Sequence, residues 1–138
     1  MDFKLELVIL PVTDIDRAKA YYSEQLGFAI DVDHSAGDFR IVQLTPPGSA
    51  CSVTLMRNES AAGSVNGLHL VVSDIDQARA YLLDRGATPS EIFHFGEQGE
   101  RPGHDPARRD YGSYLSLTDP DGNGWLVQEV PSRRTQTS

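Results

Sequence analysis

Hydrophobic and polar residues follow the same pattern twice along this chain. Each half begins with an apolar run, Leu5 to Val12 in the first half and Leu68 to Val72 in the second. A stretch with apolar residues three and four positions apart follows, and a glycine ends it, Gly27 or Gly86. The apolar run predicts a strand, the wider spacing predicts a helix, and the glycine favours a left-handed helix end.

The two helical stretches are nearly the same in sequence. VTDIDRAKAY at positions 12–21 returns as VSDIDQARAY at positions 72–81. Thr13 and Ser73 each precede an aspartate by three residues, a spacing that resembles a capping box, so we expect the helices to begin there. A repeat this close predicts two similar modules.

Three further strands are predicted in each half. They span 28–32, 39–45 and 51–56 in the first half, and 91–95, 113–118 and 125–130 in the second. The element order is therefore βαβββ twice, which predicts an α+β fold. A single module is too small to bury both faces of its sheet, so we expect the two sheets to curl into a half-barrel around a central cleft, with the helices outside.

The predicted boundaries follow from these elements. The first module covers 1–58, a small and polar linker covers 59–67, and the second module covers 68–131. The last seven residues, 132–138, are polar, and we expect a frayed tail.

Composition narrows the class of protein. The chain has 138 residues, with 39% hydrophobic and 23% charged residues, as expected for a globular protein. No apolar run approaches ~20 residues, and the N-terminus lacks a signal pattern, so a cytoplasmic protein without a membrane span is predicted. The net charge of −8 argues against binding to nucleic acid or to anionic membranes. The single Cys51 excludes an internal disulfide framework.

These features together resemble a known family. The paired βαβββ modules, the two V-x-D-I-D-x-A-x-x-Y helix starts and the DPDGN turn at 119–123 are similar to the vicinal oxygen chelate superfamily. This is the glyoxalase, bleomycin-resistance and extradiol dioxygenase group, and the WLVQE ending at 125–129 resembles a glyoxalase-like bacterial subgroup. The resemblance covers about 5–130. It implies the half-barrel fold and often a homodimer, but its members include metal-dependent enzymes and metal-free drug-binding proteins.

The resemblance also implies four positions for metal ligands, on the first, fourth, fifth and eighth predicted strands. The positions on the first and fifth strands, five residues before the valine of V-x-D, are Leu7 and Gly67, and neither can ligate a metal. Matching TPPG at 45–48 with DPDG at 119–122 makes Thr54 the counterpart of Gln128, and these are poor ligands for the usual metal site. By this register the metal site is degenerate, and no metal cofactor is expected.

One alternative metal site remains open. Side chains alternate along a strand, so His69 shares the face of Gly67. A bulge or a one-residue slip would bring Glu6 and Glu129 to the same cavity. Glu6, His69 and Glu129 would then bind one divalent metal ion. The competing interpretation is that Glu6 is exposed and Glu129 is a solvated carboxylate at a strand end.

Five residues are candidates for contact with a ligand: Thr54, His69, His94, Tyr114 and Gln128. A histidine on the cavity face can act as a general base, which makes His69 the catalytic candidate, although a lone strand histidine is more often a core residue. His94 lies between two phenylalanines, and if these face one side of the strand, His94 faces the other.

The connection 96–112 is too long for a simple turn and contains three arginines. We interpret it as an exposed stretch whose charges pair with one another. The alternative is a lid that offers Arg101, Arg108 or Arg109 to an anionic ligand.

The leading hypothesis is a glyoxalase-like protein with a degenerate metal site that binds a small apolar or aromatic molecule in the cleft. Binding would either sequester this molecule or support metal-free acid–base chemistry through His69. The rival is a metal-dependent lyase, isomerase or dioxygenase with shifted ligands. A third hypothesis is a structural or regulatory dimer with a filled cavity.

Overall fold

The structure is a computed structural model that describes residues 1–136. The chain divides into two compact units. The N-terminal unit comprises Met1–Val65 together with Asp119–Asn123, and the C-terminal unit comprises Asn66–Thr118 and the chain from Gly124 onward. Each unit is an open mixed sheet with a helix against one face, which confirms the predicted α+β class.

The N-terminal unit has four strands in the order β1-β4-β3-β2, and β1 runs parallel to β4. The elements are β1 (Leu7–Val12), α1 (Ile15–Ala20), a π-helical extension of α1 (Tyr21–Gln25), β2 (Ala29–Ala36), β3 (Phe39–Thr45) and β4 (Ser52–Arg57).

The C-terminal unit has five strands in the order β5-β9-β8-β6-β7, and β5 runs parallel to β9. The elements are β5 (Leu68–Val72), α2 (Ile75–Asp84), β6 (Phe93–Gly96), β7 (Gly99–Pro102), β8 (Ser113–Thr118), β9 (Gly124–Glu129) and a 3-10 helix (Pro131–Gln136). No helix of the described chain is long and apolar enough to cross a membrane.

Both helices begin one residue later than the capping-box pattern predicts. The N-cap of α1 is Asp14, whose carboxylate accepts a hydrogen bond from the backbone N–H three residues on at 3.1 Å, and the N-cap of α2 is Asp74. In both helices the aspartate after Thr13 or Ser73 is the cap, since aspartate is at least as favourable as serine or threonine at this position. The Thr13 hydroxyl instead donates to Oδ1 of Asp121 at 2.6 Å.

The DPDGN turn belongs to the N-terminal unit, although it lies between two strands of the C-terminal one. The Tyr22 hydroxyl donates to Oδ2 of Asp119 at 2.7 Å, and Nδ2 of Asn123 donates to the Pro11 carbonyl at 3.1 Å. Asp119 and Asn123 are buried, so these bonds satisfy polar groups that have lost contact with water.

The C-terminal unit departs from the predicted repeat at two places. The connection after β6 begins with β7, which pairs antiparallel with β6, so this unit has five strands instead of four. The tail expected to fray from Ser132 onward begins as the 3-10 helix Pro131–Gln136. The final two residues of that tail lie outside the described chain.

Alternation separates a buried and an open face in each sheet. In the N-terminal unit Leu10, Val42 and Leu55 are completely buried on the helix side, whereas Ile9 on the opposite face is 52% exposed. In the C-terminal unit Leu115 and Val127 are buried on the helix side. The open faces are therefore where ligand contact is expected.

Candidate functional site

Two rows of side chains cross the open face of the C-terminal sheet. Strand pairing places His69 beside Leu126 and Leu126 beside Ser116. The next row contains Val71, Gln128 and Tyr114. Because side chains alternate, both rows lie on the face opposite to the buried residues that pack against α2.

A pocket of about 470 Å³ lies on this face. Ser116 and Leu126 form its floor, and Phe93 and Phe95 of β6 contribute aromatic surface. The remaining lining residues are Ser90, Glu91, Ile92, Glu100, Arg101 and Pro102. Ligand sites of small molecules typically have this size and this mixture of apolar surface with a few polar groups.

The aromatic side of the pocket belongs to a cluster of three rings. Phe93 stacks on Tyr114 with the ring centroids 5.6 Å apart, and Phe95 contacts Tyr114 edge-on at 5.2 Å. Phe93 is buried, but Phe95 is 57% exposed. Packing against Phe93 and Tyr114 therefore holds the Phe95 ring in place, while part of its apolar surface stays exposed to solvent.

Hydrogen bonds fix the irregular segment 90–92, which forms another wall of the pocket. The Ser90 N–H donates to the Ser116 carbonyl at 3.0 Å, and the Ser116 N–H donates to the Ser90 hydroxyl at 2.8 Å. Arg79 of α2 donates from Nε to the Ser90 carbonyl at 3.0 Å. The wall is thus tied both to the sheet and to the helix.

His69 is exposed on the open face, in the row that continues the floor of the pocket. Its Nδ1 lies 2.7 Å from the Gly67 carbonyl oxygen. Because a carbonyl oxygen accepts only, Nδ1 carries the proton in the neutral ring, and Nε2 is then the basic nitrogen. A basic nitrogen is therefore available on this face. None of the five candidates for ligand contact, His69 included, lines the pocket itself.

The other ligand candidates occupy different places. Gln128 donates from Nε2 to the Tyr111 carbonyl and to the Tyr114 hydroxyl, both at 3.0 Å. His94 lies on the face away from Phe93, with Nδ1 at 2.9 Å from the Gly103 carbonyl oxygen. Thr54 belongs to the N-terminal unit, where it is 5% exposed. The Thr54 hydroxyl has no hydrogen-bond partner among the described residues.

The alternative metal triad is not assembled in the structure. Glu129 is fully buried, and it accepts hydrogen bonds from Arg108 Nε and from the Ile75 N–H, each at 2.9 Å. Alternation places Glu129 on the helix side of β9, opposite to the face that carries His69. Glu6 is exposed in the N-terminal unit. Within residues 1–136, no three His, Cys, Asp or Glu side chains form a group that could hold a metal ion.

Glu129 instead joins the long connection to the start of α2. Burial raises the pKa of its carboxyl, but the hydrogen bonds from Arg108 and Ile75 outweigh this effect and leave the pKa below its usual value. Arg108 reaches this position with a positive φ of 48°, a conformation that is uncommon for a residue with a side chain. The carboxylate therefore remains charged and paired.

Two of the three arginines considered for a lid are held by carboxylates. Arg108 binds Glu129, and Arg109 donates from Nη2 to Oδ1 of Asp105 at 2.7 Å. The hydrogen bonds from Arg109 keep the pKa of the Asp105 carboxyl well below its usual range. Arg101 differs from them because it lines the pocket.

Four of the pocket residues are not identified as functional candidates from the sequence: Phe93, Phe95, Ser116 and Leu126. The two phenylalanines serve there only to infer which way His94 faces. The signal was the alternation Phe-His-Phe at 93–95, which places two aromatic rings on one face of a short strand.

The βαβββ order of the first unit, which the second unit repeats with β7 added, is that of α+β proteins with a glyoxalase-type fold. The family model of the Glyoxalase/Bleomycin resistance protein/Dioxygenase superfamily matches residues 4–127, and the chain belongs to this superfamily. The resemblance inferred from the repeat and the turn is thereby confirmed.

Solved structures of relatives agree with this assignment. TnmS3, an antibiotic binding protein from Streptomyces sp. CB03234, is 27% identical with a TM-score of 0.73, over 94% of this chain and 97% of TnmS3. A glyoxalase/bleomycin resistance protein from the same organism is 28% identical with a TM-score of 0.70, over 91% of this chain and 100% of its own. A superfamily member from Sphaerobacter thermophilus DSM 20745 is 24% identical, with a TM-score of 0.68, over 93% and 98% of the two chains. A comparison with curated proteins finds no match.

Proposed function

We propose that this protein binds a small, largely apolar or aromatic molecule on the open face of its C-terminal sheet. The observation that carries the proposal is the pocket of about 470 Å³ beside the half-exposed ring of Phe95. A ligand in this pocket would cover the exposed part of that ring. Burial of apolar surface would then provide the main binding free energy.

The relatives support a ligand of this kind. TnmS3 is described as an antibiotic binding protein, and it matches nearly the full length of both chains. We therefore expect the ligand to be an organic molecule of antibiotic-like size. Binding would either sequester this molecule or support metal-free acid–base chemistry, in which Nε2 of His69 accepts a proton.

The conventional metal site of the superfamily does not fit the side chains of this chain. Leu7 and Gly67 offer no ligating side-chain atom, and Thr54 and Gln128 are poor ligands for a site that needs two or three imidazoles or carboxylates. We infer that the site is degenerate. Elemental mass spectrometry of protein loaded with divalent metal and then desalted should find substoichiometric metal. About one ion bound per chain in a 1:1 complex would overturn this inference.

A fluorescent probe tests the binding proposal. Prodan, a neutral naphthalene fluorophore with a propionyl group, should bind saturably and shift its emission to the blue. Phe95→Ala should weaken binding by about 1–2 kcal/mol, because it removes a ring with partly free apolar surface. Tyr81→Ala is the matched control, since Tyr81 is a 46% exposed aromatic residue of α2 that does not line the pocket. Equal affinities for both variants and the wild type would refute the proposal.

A homodimer and a cytoplasmic location remain predictions. Met1, Phe3 and Leu5 form an N-terminal segment with large exposed apolar side chains, which a second copy of the chain would cover. Light scattering should then give the mass of a dimer for the wild type and of a monomer for Leu5→Glu. A monomeric wild type would contradict the dimer prediction.

A further inference from the structure

One row of side chains on the open face places an apolar group between two polar ones. Strand pairing puts His69 of β5 beside Leu126 of β9, and Leu126 beside Ser116 of β8. Leu126 and Ser116 line the pocket, and His69 is the next side chain beyond Leu126. All three lie on the same face of the sheet, so a molecule on the pocket floor reaches His69 without crossing the backbone.

Both polar members of this row are free to form a hydrogen bond with a ligand. The Ser116 hydroxyl has no partner among the described residues, and its oxygen is accessible to solvent. Nδ1 of His69 donates to the Gly67 carbonyl, which leaves Nε2 as an acceptor with no partner within residues 1–136. A hydroxyl both donates and accepts, whereas Nε2 of the neutral ring only accepts. A ligand must therefore donate at the His69 end, and it can accept at the Ser116 end.

The separation of the two polar groups restricts the shape of the ligand. β9 lies between β5 and β8, and neighbouring strands are ~4.8 Å apart, so the backbones of His69 and Ser116 are about 10 Å apart. A flat bicyclic aromatic molecule with an oxygen at each end spans a distance of this order. Its rings would cover Leu126, and its two oxygens would replace water at the two free hydrogen-bonding groups.

The charged side chains around the pocket do not require a charged ligand. Glu91 pairs with Arg79 at 3.3 Å, and the side chain of Glu91 is 89% exposed. Glu100 and Arg101 have opposite charges, and both are exposed. Hydrated surface charges of both signs contribute little to selection. The selective contacts are therefore left to the uncharged groups on the floor.

We propose that the ligand is a neutral hydroxyaryl ketone, whose phenolic O–H donates to Nε2 of His69 and whose carbonyl oxygen accepts from the Ser116 hydroxyl. The inference rests on the proposed function, since the aromatic rings must lie on the floor of the pocket beside Phe95. It makes His69 and Ser116 specificity-determining residues at opposite ends of one ligand. Leu126 provides the apolar contact between them.

Three naphthalene probes separate the two contacts. The first is the naphthol analogue of prodan, in which a hydroxyl replaces the dimethylamino group. The second is the methyl ether of this naphthol, which lacks the phenolic donor, and in the third a methylene group replaces the carbonyl. In calorimetric titrations at neutral pH, the wild type should bind the first probe about fivefold more tightly than either of the others, because one hydrogen bond typically contributes a factor of this order.

Crossed variants assign each contact to its residue. His69→Phe should abolish the preference for the naphthol over its methyl ether and keep the preference for the carbonyl. Ser116→Ala should have the reverse effect. His34→Phe is the matched control, because His34 is an exposed strand histidine of the N-terminal unit, and both preferences should persist in this variant.

Two results would overturn the assignment of these contacts while the proposed function stands. In the first, the wild type binds all three probes with the same affinity. In the second, the preferences of the wild type persist unchanged in His69→Phe and Ser116→Ala. No binding of any probe by the wild type would instead overturn the proposed function, and the inference with it.

Discussion

The ion pair between Arg108 and Glu129 should be unequally sensitive to loss of its two partners. Glu129 is 0% exposed, whereas the side chain of Arg108 is 39% exposed. Arg108→Gln leaves a buried carboxylate with only the Ile75 N–H as a donor from the described contacts. Glu129→Gln keeps an acceptor for that N–H, and the half-exposed guanidinium of Arg108 retains its ion pair with Asp76 at 3.6 Å.

The magnitudes follow from these exposures. Removal of one partner of a fully buried pair typically destabilises a protein by ~3–5 kcal/mol, and partial solvent screening reduces this figure. We therefore expect Arg108→Gln to lower the free energy of unfolding by about 3 kcal/mol, and Glu129→Gln by about 1.5 kcal/mol.

Urea unfolding at neutral pH, followed by circular dichroism, measures both values. Arg109→Gln is a second test of the same reasoning, because it leaves the buried carboxylate of Asp105 with only the Arg109 backbone N–H as a donor and should also lower the free energy of unfolding. A smaller effect for Arg108→Gln than for Glu129→Gln would refute the reasoning from burial. So would two variants that are as stable as the wild type.

Three further predictions concern stability. The pKa of the Glu129 carboxyl is lower in the folded protein than its ordinary value of 4.5. The stability that this carboxylate contributes is therefore present above pH 4.5 and is lost as the pH falls through the folded-state pKa. The difference in urea-measured unfolding free energy between the wild type and Glu129→Gln should accordingly shrink in acid. Thr54→Val removes a buried hydroxyl without a described partner, and calorimetry should show a gain of about 1 kcal/mol. Tyr22→Phe removes the hydrogen bond to Asp119 and should lose about 1–2 kcal/mol in urea titrations.

Each of these three predictions has an outcome that would contradict it. A stability gap that widens in acid would show that Glu129 is not ionised and paired in the folded state. A loss of stability in Thr54→Val would mean that the hydroxyl has a partner, such as a bound water. An unchanged Tyr22→Phe would show that the Asp119 carboxylate is satisfied without the phenol.

Regular, locally encoded elements of the fold could be predicted from the sequence. The predicted strands at 39–45, 68–72 and 113–118 coincide with β3, β5 and β8, because each combines apolar alternation with clear turn residues at its ends. β7, with the sequence GERP, was missed because its pairing with β6 depends on backbone hydrogen bonds and not on an apolar pattern. β2 extends to Ala36 through polar residues that carry no strand signal.

The candidate site was less accessible to sequence reasoning. The face on which His69 lies follows from alternation alone, but His69 is exposed there outside the lining of the pocket, and its contact with a ligand stays a prediction. The role of Glu129 depends on Arg108, which lies 21 positions earlier in the chain and reaches it through an unusual backbone conformation. The pocket also depends on the tie between Ser90 and Ser116, a contact between distant positions that no local pattern reveals.

The most direct test of the binding proposal is a titration of isotope-labelled protein with prodan, followed by amide chemical shifts in NMR spectra. We expect the largest shift changes to cluster at Phe93, Phe95, Ser116 and Leu126 and to saturate together at one affinity. Shift changes confined to the N-terminal unit, or no saturable changes at all, would contradict the assignment of the ligand site to this pocket.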